Sequence, residues 1–124
     1  MVLIDSSAWV HYFRYRGDAR VRDRVVSLLR KDEAAWCAMI RLELWNGVGS
    51  EGDRTMLREH EPWLHDLPIT DLVWENACLL ASECRKSGKT APASNVLIAA
   101  CARHYELALE YTDRHFDFLM ALPR

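Results

Sequence analysis

The chain has 124 residues, half of them apolar and 27% charged, with a formal net charge of −2. That length fits one domain with a real core, and that balance is of an ordinary globular protein rather than a disordered or fibrous one. No apolar run approaches the roughly 18–20 residues a membrane span needs, so neither a membrane role nor a strongly basic nucleic-acid coat is indicated.

Met1–Ile4 is short, apolar and closed by Asp5, and it lacks a basic leader segment. It therefore reads as a buried strand rather than a signal peptide, which places the protein in the cytoplasm. Ser6 or Ser7 can cap the following helix AWVHYFR, since a side-chain oxygen accepts from the free N–H groups of the first turn. Gly17 and Asp18 break it. Ala19–Arg30 carries Val21, Val25, Val26, Leu28 and Leu29 at helical spacing.

Ala34–Ala38 predicts a second buried strand, and Met39–Val48 a helix with Ile40, Leu44 and Val48 four apart. Asp53–His65 predicts another helix, limited by Pro62. Leu67–Ile69 reads as a minimal strand, and a long helix starts at Thr70 or Asp71 and stops at Gly88. Pro92 with Ser94 or Asn95 opens the helix VLIAACARHY. Leu107–Tyr111 is the last strand, with Asp113 just beyond it. Short strands alternating with helices predict an α/β fold, a three-layer sandwich with a central parallel sheet. In such sheets ligands lie beyond the carboxyl ends of the strands, where Asp5 and Asp113 fall.

Three acids stand out. Asp5 could be only a capping charge, but with Ser6 and Ser7 available as caps its carboxylate is spare. Glu43 lies in the apolar helix segment IRLELWNG, and Arg41 points elsewhere on the helix; the other reading is a solvated polar face. Asp113 and Asp117 bracket TDRHFD and would repel on one helical face unless a divalent metal relieves them, or Arg114 or His115 does so in part. Carboxylates converging on one rim suit magnesium, which takes oxygen ligands and can activate water against a phosphodiester. No Ser-His-Asp set, phosphate loop or nucleophilic Cys motif competes, and Asp-x-Asp is absent because position 7 is serine.

Other residues read more plainly. Cys37, Cys78, Cys84 and Cys101 lie in apolar segments without zinc spacing and are expected as free thiols in the core. The five tryptophans are expected in the core or a dimer face rather than as base-stacking platforms. The five histidines show no metal spacing. Residues 14–31 carry a local balance of +5 and residues 51–75 one of −5. The basic stretch could steer a polyanion or simply solvate a helix.

Together, VLIDSSAWV, IRLELWNG, ASNVLIAACA and YTDRHFD resemble, in order, the four signature segments of PIN-domain nucleases, above all the VapC-type toxins of bacterial toxin–antitoxin modules. The resemblance implies an α/β/α sandwich and Mg2+- or Mn2+-dependent endoribonuclease activity. It also implies a homodimer and a cognate antitoxin that shields the acidic cleft. It carries the family's first acid to Asp5, its second to Glu43 and its fourth to Asp113, with Asp117 as an auxiliary acid and Ser7 orienting water or phosphate. Arg14, Arg16 and Arg114 are candidate RNA contacts. The third acid falls on Asn95, which keeps an oxygen but loses a charge, so metal affinity should fall. A natural variant is preferred over an engineered disarming. The competing functional reading is a weakened PIN scaffold that binds RNA or a partner protein. A phospho-receiver domain fits poorly, having no acid pair at the first strand and no late Lys.

Overall fold

The computed structural model describes residues 1–123. Its elements run β1 (Val2–Ile4), α1 (Ser6–Phe13), α2 (Ala19–Arg30), β2 (Ala34–Trp36), α3 (Ala38–Gly47) and α4 (Glu51–His60). A 3₁₀ turn at Glu61–Trp63 leads to β3 (His65–Asp66), α5 (Asp71–Lys86), α6 (Ala93–His104), β4 (Ala108–Glu110) and α7 (His115–Ala121). The four strands form one parallel sheet in the order β3-β2-β1-β4.

Successive strand residues point to opposite faces, so a strand buried at every position has cover on both sides. In β1, Leu3 and Ile4 are both fully buried, and in β2 Ala34, Ala35 and Trp36 are all buried. Helices therefore flank the sheet on both faces, the expected α/β/α sandwich. Small Ala34 and Ala35 let the helices approach closely, while fully buried Trp9 and Phe116 fill the larger spaces.

Local chemistry sets the helix limits. Asp18 caps α2 by accepting from the N–H groups of Arg20 and Val21. In α5, Val73, Ala77, Leu80 and Cys84 form the buried stripe, and Gly88, at φ 71°, ends the element in the left-handed region. In α6, residues 95–102 are all buried, which accounts for its apolar circumference.

Several expectations need correction. The third strand is His65–Asp66, not Leu67–Ile69. It lies at the sheet edge, paired only with Ala35 and Trp36, so its length follows its partner rather than its own apolar residues. Helix α4 ends at His60, and Pro62 sits in the separate 3₁₀ turn. Helix α6 opens at Pro92, so Asn95 lies inside its first turn and does not cap it. Of the four free cysteines, Cys78 is exposed rather than core. Trp63 and Trp74 are exposed, outside the core that was one of the two places expected for the tryptophans. Among the described residues, no helix is long and apolar enough to cross a membrane.

Candidate functional site

The strand order reverses at β1. From β1 the sheet grows one way to β2 and β3, while β4 returns to the other side of β1. Where the order switches, the carboxyl ends of two strands open a crevice. The Asp5 N–H bonds to the carbonyl of Glu110, tying the end of β1 to the end of β4 at 2.9 Å. Asp5 and Asp113 leave the sheet side by side there.

Asp5, not Ser6 or Ser7, is the N-cap of α1: its Oδ2 accepts from the Ser7 N–H at 2.9 Å. The serines are thereby released for other work. Ser7 Oγ accepts from the backbone N–H groups of Thr112 (3.0 Å) and Asp113 (3.3 Å), and Thr112 Oγ1 donates to the Ser7 carbonyl at 3.2 Å. Ser7 thus fastens the first turn of α1 to the segment after β4. Ser6 Oγ donates to Glu43 Oε1 at 3.3 Å, bringing α3 to the same crevice.

Glu43 is half-buried in α3, which packs against both α1 and α6. Arg41 turns away to pair with Glu61 at 3.2 Å, as its position on the helix requires. Asn95, in the first turn of α6, donates from Nδ2 to Asp113 Oδ2 at 2.9 Å. Four elements thus bring Asp5, Glu43, Asn95 and Asp113 together.

The electrostatics bear this out. Burial pushes the Asp5 carboxyl above its ordinary value, hydrogen bonds from Ser7 and Ser6 pull against it, and the charge of Asp113 adds to the rise. Glu43 is likewise raised, by burial and then by the charge of Asp5, with a smaller addition from Asp113. Asp113 is pushed up by burial, but hydrogen bonds from Asn95 and His115 outweigh that and hold it low. The three acids feel one another's charge.

No Lys or Arg among the described residues forms a salt bridge with Asp5, Glu43 or Asp113. A carboxylate 3% exposed, beside two others, calls for another source of positive charge. The donor set is all oxygen, the chemistry a hard divalent cation selects. Among the described residues, however, no three Asp, Glu, His or Cys side chains stand close enough to clasp an ion by themselves. Asn95 occupies one corner of the pocket, and Asp113 is turned toward its hydrogen-bond donors.

The remaining candidates fall around this pocket unevenly. Asp117 sits in the first turn of α7 and accepts from the Tyr111 hydroxyl at 2.6 Å; no hydrogen bond joins it to the other acids among the described residues. Arg14 lines a groove of about 460 Å³ that also includes Ser6, Phe13, Glu43 and Met56, so it stands along the approach to the acids. Arg16 and Arg114 are exposed, the latter next to Asp113. Sequence reasoning missed Thr112, read Ser6 only as a cap, and gave His115 only as partial relief for Asp113 and Asp117. The signal for His115 was its place two residues after an Asp, where an Asx turn brings the N–H onto the carboxylate.

The fold and the site define the class: an α/β/α sandwich with carboxylates beside the switch point of its parallel sheet. The PIN domain profile matches residues 2–119, and the chain belongs to that family. It is 32% identical over 123 residues to a VapC ribonuclease of Mycobacterium bovis and to the ribonuclease VapC11 of Mycobacterium tuberculosis, covering 96% of this chain and 91% of each relative. Among solved structures it is similar to FitAcB of Neisseria gonorrhoeae, with a TM-score of 0.82 at 23% identity over 98% of this chain and 94% of that one. It is also similar to VapBC2 of Rickettsia felis bound to a promoter DNA fragment, with a TM-score of 0.81 at 15% identity over 98% and 96%.

Proposed function

We infer that this chain, acting as one PIN domain, is the toxin of a type II toxin–antitoxin pair: a cytoplasmic endoribonuclease that uses Mg2+ or Mn2+. The observation carrying this reading is that Asp5, Glu43 and Asp113, from three separate elements, stand near enough for the charge of Asp113 to reach both Asp5 and Glu43. The names of the VapC relatives support ribonuclease chemistry. The family resemblance supports an antitoxin partner covering the acidic cleft, and a homodimer.

A divalent ion held by these acids supplies a Lewis acid that polarises an RNA phosphodiester and lowers the pKa of a water. Asp5 and Glu43 would hold it with their carboxylates; Asn95 would offer its amide oxygen only by giving up its hydrogen bond to Asp113. Asp113 is kept ionised by its hydrogen-bond donors and adds negative charge to that corner. Ser6 orients Glu43, and Ser7 links Asp5 to Asp113 by donating its N–H to the Asp5 carboxylate and accepting from the Asp113 N–H at its hydroxyl. Arg14, with Arg16 and Arg114 further out, supplies positive charge to draw the RNA backbone toward an otherwise acidic rim. Asp117 is an auxiliary acid at most, through Tyr111.

A cleavage assay on structured RNA tests this. The wild-type chain should cut in Mg2+ and stop in EDTA, and Asp5→Asn, which preserves the helix cap, should lose at least about 100-fold. Undiminished cleavage by Asp5→Asn would falsify the assignment. A silent wild type that gains activity on Asn95→Asp would point to the weakened scaffold.

A further inference from the structure

Asp113 is gripped on both of its oxygens. Oδ2 accepts from the Asn95 amide at 2.9 Å, while Oδ1 accepts from the His115 backbone N–H at 3.0 Å and from His115 Nδ1 at 2.7 Å. A carboxylate can only accept, so Asn95 presents its NH2 group and His115 Nδ1 carries its proton. The Ser94 hydroxyl, 3.5 Å from Asn95 Oδ1, fits that orientation. Asn95 is 7% exposed in the buried first turn of α6, so packing fixes its side chain. Three N–H donors thus compensate a carboxylate that neighbours two more, and bonds of this kind are about twice as strong as neutral ones.

An aspartate at position 95 would reverse the arrangement. Its oxygen would replace a nitrogen now 2.9 Å from Asp113 Oδ2. Two acceptors would face each other with no proton between them, and a cation would become the natural relief. The identity of residue 95 therefore decides whether this corner needs an ion to hold together.

We propose that Asn95 and His115 form an ion-independent clamp on Asp113, positioning residues that keep the acidic pocket assembled when no metal is bound. The use of the pocket rests on the nuclease reading; the clamp itself does not. One consequence is weaker metal binding than a carboxylate at position 95 would give.

Thermal melting in EDTA, paired with Mn2+ calorimetry, tests the clamp on the purified chain. Asn95→Asp should melt about 4 °C or more below wild type in EDTA. Mn2+ should restore it, and it should bind Mn2+ at least about tenfold more tightly than wild type does. A merely structural loss would not be rescued by metal. If Asn95→Asp does not fold, His115→Ala provides the second reading: a lower melting temperature in EDTA and a larger Mn2+-induced rise than wild type. Wild-type melting in EDTA for the variant that folds overturns the clamp. Mn2+ binding that Asp5→Asn abolishes, alongside wild-type EDTA melting of Asn95→Asp, sinks the clamp and leaves the nuclease reading standing. Mn2+ binding that persists in Asp5→Asn, with Asn95→Asp melting low in EDTA and restored by Mn2+, does the opposite.

Discussion

Asp5 serves two masters. As the N-cap of α1 it must accept from Ser7, and as a pocket acid it is buried near Glu43 and Asp113. The sign of its effect on stability follows from its raised value. The folded state binds a proton at Asp5 more tightly than the unfolded chain does, so its contribution favours folding in acid and is lost as pH rises through the folded value. Glu43 behaves alike. Asp113, held low, contributes stability above the ordinary 3.8 that is lost as pH falls through its folded value. Asn caps a helix as well as Asp. Asp5→Asn should therefore be more stable than wild type at pH 7, by roughly 1 kcal/mol, and the gap should close as the pH falls toward 3.8. Melting curves across pH 3.5–7.5 measure this, and a variant less stable than wild type at pH 7 would count against it.

Among the elements, the α1–α2 turn depends on one glycine. A Cβ at Gly17 would stand 2.0 Å from the His11 carbonyl oxygen, and that oxygen is backbone. The Gly17 carbonyl also accepts from Arg22, and the Asp18 N–H donates to His11 Nδ1. Gly17→Ala should destabilise the chain by about 1–3 kcal/mol, read as a lowered denaturant midpoint with unchanged slope. Sequence patterning exposed this turn, and it exposed β1, β2, β4 and the long helices, because each is announced by apolar periodicity or a breaker. Strand β3 was displaced because two polar residues at a sheet edge carry no hydrophobic signal, and Leu67 and Ile69 beside them do. The acids at the pocket were legible because each ends a strand or interrupts an apolar helix. What holds them was not. That Asp5 rather than a serine would cap α1, freeing Ser7 to bridge to Thr112 and Asp113, depends on β4 lying beside β1, a contact more than a hundred residues away in sequence.

The whole molecule places its acids by topology. The β1–β4 pairing brings residues from both ends of the chain together, and α3 and α6 bring Glu43 and Asn95 beside them. Water attack and attack by a ribose hydroxyl leave different chemical marks on RNA. Mass spectrometry of fragments cut in oxygen-18 water with Mg2+ distinguishes them. A terminal phosphate bearing one solvent oxygen, formed by wild type and not by Asp5→Asn, is the predicted result. Fragments ending in 2′,3′-cyclic phosphate, or labelled products persisting in Asp5→Asn, would contradict it.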